Sequence, residues 1–168
     1  MKLAHYALIG CLGLSLAACD KATKTPTTTT PIKAREPVVA LALGGGGAKG
    51  FAHIGVIKVL ESHGIKPKIV TGTSAGSFVG SIYASGKTAQ QLKDIALNMQ
   101  VNDVREFNIG LQGFFDGSKV ENYVNQQVDQ KRLEDMEIPM YVVATELKHG
   151  NKVIFNKGST GQAVRASI

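Results

Sequence analysis

The chain has 168 residues, 43% of them hydrophobic, which is enough to bury one domain-sized core. Its formal charge is +6, but no block of five or six like charges and no aromatic–basic interleaving is present, so the composition points away from nucleic acid as a partner. Both cysteines, Cys11 and Cys19, precede the candidate globular region, which excludes a disulfide or a thiolate metal site within it.

Residues 1–18 have the pattern of a signal peptide. Lys2 supplies a short positive region, and Ala4 to Ala18 is an apolar run interrupted by Gly10 and Gly13. The run is short of the ~20 apolar residues that a membrane span needs. It ends Leu16-Ala17-Ala18-Cys19, which resembles the lipobox of bacterial lipoproteins. The resemblance implies cleavage before Cys19, a diacylglycerol thioether on its sulfur, and a membrane-anchored lipoprotein of the bacterial cell envelope, at the periplasmic face of the inner membrane or at the outer membrane. Asp20 resembles an inner-membrane retention signal. An ordinary signal peptide or an uncleaved anchor is the alternative. Residues 19–37 form a linker, since the tract Thr25-Pro26-Thr27-Thr28-Thr29-Thr30-Pro31 has no apolar period and cannot pack a core.

The globular part, residues 38–168, opens with Val38-Val39-Ala40-Leu41-Ala42-Leu43, a continuous apolar run predicting a strand buried on both faces of a parallel sheet. Phe51 to His63 has helical spacing of apolar residues and stops at Gly64. Lys68-Ile69-Val70-Thr71 follows as a second strand, which makes a βαβ unit. Ser74 to Ser85 predicts the next helix, with Phe78, Val79, Ile82 and Tyr83 on one face and Gly86 at its end. Thr88 and Gln91 form a capping box for a further helix, and Ser118 with Glu121 suggests another. Residues 99–117 are irregular, with Phe107, Ile109, Leu111, Phe114 and Phe115 as apolar points. Pro139 to Thr145 is a third strand, His149-Gly150-Asn151 a turn, and Lys152 to Asn156 a fourth strand. Ser159 or Thr160 caps a last helix starting at Gly161.

Two glycine-bearing turns carry the chemistry. Gly72-Thr73-Ser74-Ala75-Gly76 follows an apolar strand and opens a helix. A serine becomes a useful nucleophile on such a turn, which strains its backbone and projects its Oγ from the sheet edge. The residues two before and two after it must then be small, and they are Gly72 and Gly76. A Ser-containing turn or helix cap is the plain alternative. The second stretch, Gly44 to Gly50, contains Gly45-x-Gly47-x-x-Gly50, the spacing of a dinucleotide fingerprint. That fingerprint wants an acid at the end of the second strand, where Val70 and Thr71 stand instead, so nucleotide binding is set aside. Nor is it a P-loop. The Gly86-Lys87-Thr88 triplet ends a helix and lacks the required first glycine, so it reads as a helix stop and a cap. The favoured reading of Gly45, Gly46, Gly47, Ala48, Lys49 and Gly50 is an oxyanion loop, whose N–H donors can each lower an acyl-transfer barrier by ~3–4 kcal/mol. Lys49 either reinforces this positive pocket or is a surface cation.

LALGGGGAKGFAHIGV, then GTSAGS, VVATEL and AVRASI, resemble the bacterial patatin-like phospholipases from about Val38 to Ile168. The resemblance implies a three-layer α/β/α hydrolase with a mainly parallel central sheet. It implies a Ser–Asp dyad without metal or cofactor, acting on acyl esters of lipids. Carried over, Ser74 is the nucleophile in an elbow of Gly72, Thr73, Ala75 and Gly76, and Gly45, Gly46, Gly47 and Lys49 belong to the oxyanion loop.

The family's base is an Asp in an Asp-Gly-Gly/Ala motif placed after a segment like AVRASI, and no such motif occurs in this sequence. The expectation is a domain incomplete at its C-terminus, with little or no turnover by the chain as it stands. Asp116-Gly117 is the only Asp-Gly pair, and it reads as a turn. His149 is the one histidine after Ser74 that could complete a Ser–His triad, but it sits in a turn; His53 and His63, on the first helix, read as structural or exposed. A lipid-binding module without catalysis, or an esterase using His149, are the alternatives.

Overall fold

The computed structural model describes residues 37–104 and 117–168. Cys19 and its lipobox, the Thr/Pro tract, Asp116 and the apolar points from Phe107 to Phe115 lie outside the described residues. The strands β1 (Ala40–Leu43), β2 (Ile69–Thr73), β3 (Met140–Thr145) and β4 (Lys152–Phe155) form one sheet in the order β1-β2-β3-β4. β1–β2 and β2–β3 are parallel, and β3–β4 is antiparallel across the turn containing His149. The sheet is therefore mixed and mainly parallel. Parallel neighbours need a crossover, supplied between β1 and β2 by α1 (Ala52–Ser62) and between β2 and β3 by a longer helical excursion.

That excursion comprises α2 (Ala75–Ala84), α3 (Ala89–Asn98), the single turn α4 (Val101–Val104) and α5 (Ser118–Gln127). The helix α6 (Thr160–Ser167) follows β4. Thr88 closes the expected capping box on α3, accepting from the Gln91 N–H at 3.3 Å while its own N–H donates to the Gln91 side chain at 2.8 Å. Ser159 caps α6 by accepting from the Gln162 N–H at 3.3 Å. At α5 the cap moves back to Gly117, whose φ of 70° is in the left-handed region; Glu121, instead of closing a capping box, pairs with Arg165 of α6 at 3.1 Å. The Gly86-Lys87-Thr88 triplet is a helix stop. Gly86 has φ 107°, and Lys87 pairs with Asp129 at 2.8 Å.

α2 is the central element. Its Val79, Ile82 and Tyr83 enter the core with Ile57 of α1 and Leu92 of α3, as the apolar spacing predicts. Its small residues Gly76, Ser77, Gly80 and Ser81 are buried too. A Cβ on Gly80 would stand 3.1–3.3 Å from the side chains of Val70, Met140 and Leu43, so this small stripe lies on the sheet. Val70, Met140, Val142, Val124 and Val164 complete a continuous core, each contributing ~1.5–3 kcal/mol by burial.

Two expectations change. Among the described residues β1 is an edge strand with Leu43 buried, but Ala40 and Ala42 exposed, rather than a strand covered on both faces. On that same open face Ile69 and Ile154 remain 37% and 50% exposed, because α2 covers the opposite face. The first helix also starts later than its apolar spacing suggests. Residues Gly47–Phe51 form a 3-10 turn, made accessible by Gly46 at φ 148° and Gly47 at φ 55°, and α1 begins only at Ala52.

Candidate functional site

Ser74 stands between the end of β2 and the first turn of α2 with φ 51° and ψ −123°. This is a costly conformation for a residue with a Cβ, by ~1–3 kcal/mol, and persists only where the surroundings over-determine it. They do so from several sides. The Ser74 carbonyl accepts from the Ser77 N–H at 2.8 Å, the Ser77 hydroxyl at 2.6 Å and the Phe78 N–H at 3.1 Å. The Ser74 N–H donates to the Ser167 hydroxyl at 2.8 Å, and that hydroxyl donates to the Val143 carbonyl at 2.6 Å.

The glycines explain how the strand, the turn and the helix come so close. A Cβ on Gly72 would overlap the backbone of Gly76, and one on Gly76 would overlap the Leu43 carbonyl. A Cβ on Gly50 would overlap the Ala75 side chain. Gly45 lies alongside Ser74 itself, since a Cβ there would stand 3.2 Å from Ser74 Cβ and 3.9 Å from its Oγ. The two glycine stretches of the sequence are thus one interlocked structure, with the backbone of the loop laid against the serine turn.

The loop presents unused donors. Among the described residues, the Gly45 and Gly46 N–H groups have no hydrogen-bond partner. The Ala75 N–H, first of α2, has no intrahelical acceptor, and the positive end of the helix dipole reinforces it. The loop is held by His53 on α1, whose Nε2–H donates to the Gly44 carbonyl at 2.9 Å. Expected as structural or exposed, His53 is a loop anchor. Lys49 is exposed and does not line the cavity beside Ser74, although Gly47, Ala48 and Gly50 do.

That cavity measures about 590 Å³. Its wall is mostly apolar, with Phe51, Phe78, Val79, Met99, Val120 and Ile168 around Ser74. Phe78 stacks on Tyr123 with ring centroids 5.9 Å apart, which fixes one wall. Burial, and then the Asp103 carboxylate, push the Tyr123 hydroxyl above its ordinary range. Among the described residues lining the cavity there is no Asp, Glu or His. His149 lies on the β3–β4 turn, 60% exposed, with Nδ1 3.1 Å from Glu146 Oε2. His63 caps the end of α1 through its contact with the Val59 carbonyl at 2.9 Å. Neither joins Ser74.

Sequence reasoning placed Ser74 and the glycine loop together but gave no role to Ser167 or His53. Ser167 was in view only as part of the AVRASI segment; its contact is 93 residues away in the chain and leaves no local periodic signal.

Residues 41–168 match the sequence profile of the Patatin family, described as patatin-like phospholipase. The chain belongs to the patatin-like phospholipase family. An uncharacterized NTE family protein of Mycobacterium tuberculosis is 36% identical over 135 residues, covering 79% of this chain and 37% of that relative. Human patatin-like phospholipase domain-containing protein 6 is 34% identical over 136 residues, covering 77% of this chain but 10% of its own length. Among solved structures, the type III effector protein ExoU superposes with a TM-score of 0.60 at 17% identity, covering 79% of this chain and 39% of ExoU. A structure of full-length ExoU from Pseudomonas aeruginosa with SpcU gives 0.61 at 18% identity, covering 38% of the matched chain. These structures share the α/β fold. The chain spans well under half the length of the relatives it matches. Membership implies esterase or phospholipase chemistry at the level of the family.

Proposed function

We propose that this chain carries the nucleophile and the oxyanion-stabilising part of a serine lipid acyl hydrolase. The observation that carries the reading is the strained backbone of Ser74, packed against Gly45 at the wall of an apolar cavity. Ser74 Oγ attacks the carbonyl carbon of an acyl ester while its proton passes to a carboxylate base. The carbonyl oxygen takes the negative charge and is met by the Gly45, Gly46 and Ala75 N–H groups. The ester C–O bond then breaks, the base returns the proton to the departing alcohol, and water hydrolyses the acyl-serine by the same route. The apolar cavity suits the acyl chain.

No carboxylate among the described residues lines the cavity, so the reading assigns the base to an Asp outside them. This same observation supports a second reading, a lipid-binding module without turnover. The test is the full chain mixed with a p-nitrophenyl acyl ester, followed by intact-mass measurement. An acyl adduct that maps to Ser74 and vanishes in Ser74→Ala supports the hydrolase. Saturable binding of the acyl chain with no adduct and no product identifies the binding module instead.

The segment Leu16-Ala17-Ala18-Cys19 supports a lipid anchor on Cys19 and an envelope location for the domain. Expression in a bacterial host should send the protein into the detergent phase on Triton X-114 partition, and Cys19→Ser should return it to the aqueous phase. Aqueous partition of the parent protein would reject the anchor.

A further inference from the structure

The end of the β2–β3 ladder holds a side chain where a backbone bond would be. In this parallel pair the Val70 N–H donates to the Pro139 carbonyl at 2.9 Å, and such rungs recur every second residue along each strand. Two steps on, the next rung would join the Ser74 N–H to the Val143 carbonyl. The chain leaves the strand at that point, because Ser74 turns to φ 51° to begin the nucleophile elbow. Ser167, from the last turn of α6, places its hydroxyl between the two groups. It accepts from Ser74 N–H at 2.8 Å and donates to Val143 O at 2.6 Å, so its one proton and one of its lone pairs are both used.

We propose that Ser167 is a positioning residue for the nucleophile, a one-hydroxyl spacer that replaces the missing rung and fixes the Thr73–Ser74 peptide plane in its strained orientation. The inference rests on the reading of Ser74 as the nucleophile. The φ of Ser74 is set by the orientation of this peptide plane, and the direction of the Oγ follows from it. Free to rotate, the plane would relax toward an ordinary helix cap and swing the hydroxyl away from its place beside Gly45. The spacer also removes the Ser74 N–H from the set of groups available to an oxyanion, which leaves the glycine loop and Ala75 to stabilise it. Because the other end of the spacer is a carbonyl of β3, the nucleophile is referenced to the sheet and not only to its own helix.

The experiment uses the full chain, with Ser167→Ala, Ser167→Thr and Ser74→Ala, and two readouts. The first is covalent labelling by a fluorophosphonate, followed by mass spectrometry and resolved into probe affinity and maximal labelling rate. The second is amide exchange at Ser74. If the parent chain is labelled at Ser74, Ser167→Ala should lower the maximal rate by roughly ten- to hundred-fold with little change in probe affinity, and Ser167→Thr, which keeps the hydroxyl, should recover most of it. A Ser167→Ala variant that labels at the parent rate overturns the proposal. If the parent chain is not labelled, the hydrolase reading fails and amide exchange alone decides the bridge. Exchange at Ser74 about tenfold faster in Ser167→Ala than in the parent or in Ser167→Thr upholds it, and equal exchange overturns it.

Discussion

Gly76 lies so close to Leu43 that a Cβ built on it would overlap the Leu43 carbonyl and stand 2.7 Å from that of Gly44. The contact joins the first turn of α2 to the end of β1, across the start of the glycine loop. A methyl group there meets backbone, which cannot swing aside as a flexible side chain could. Gly76→Ala should therefore destabilise the protein by about 1–3 kcal/mol or more, seen as a lower denaturation midpoint. Gly55, in the exposed interior of α1, has nothing within 4 Å of its would-be Cβ. Gly55→Ala should move the midpoint the other way, by roughly 0.5–1 kcal/mol.

The strain at Ser74 makes stability and reactivity separable. Glycine tolerates φ 51° far better than serine or alanine, whereas both substitutions remove the Oγ. Ser74→Gly should be more stable than Ser74→Ala by about 1 kcal/mol, with neither variant forming an acyl adduct. Equal thermal stabilities of the two would mean that the turn is not strained in solution.

His53 holds the loop from outside the cavity through the Gly44 carbonyl. His53→Ala removes one partly exposed hydrogen bond, so the expected cost in global stability is about 1 kcal/mol or less. Its effect on the loop should be larger. The peptide covering residues 44–50 should exchange its amides faster than in the parent, and any acylation of Ser74 should slow. A loop with unchanged exchange would show that the glycines hold their shape without the histidine.

The approach to α6 carries a pH signature. Glu134 accepts from its own backbone N–H, from Arg132 Nε at 2.9 Å and from the Gly158 N–H at 2.7 Å, and these bonds bring its pKa from 4.5 down to about 2. A carboxyl depressed in the folded state stabilises that state above its unfolded value, and the contribution is lost as pH falls through the folded value. The melting temperature of the parent should thus exceed that of Glu134→Gln by a constant amount above pH ~5. The gap should close between pH ~4.5 and ~2. A gap independent of pH over that window would remove the ionised carboxylate from the account.

The local elements were legible because their causes are local. Gly72, Ser74 and Gly76 reveal the tight turn by their spacing together with their place between an apolar strand and a helix, since a turn this tight admits no side chain two residues either side of the serine. Thr88 with Gln91, and Gly86, mark a helix start and a helix stop within a few residues of chain. The run from Val38 to Leu43 announces a strand, but not that among the described residues β1 forms an edge with Ala40 and Ala42 in the open, because hydrophobicity does not encode which neighbours a strand acquires. The same limit applies to α1, where Val56 and Val59 are 50% and 58% exposed although the helix is apolar nearly all round.

The sequence by itself determined the family and the two glycine turns, one of them carrying Ser74, since each is written in contiguous residues whose backbone conformation follows from their size. Only the tertiary structure decided which groups hold them. The Ser167 hydroxyl reaches the Ser74 amide from 93 residues away, and His53 reaches Gly44 from the next helix. Such contacts depend on how α6 and α1 dock against the sheet, and docking is set by the packing of the whole core around Val70, Ile82, Met140 and Val164. A lone serine near the end of a short amphipathic helix carries no mark of that destination.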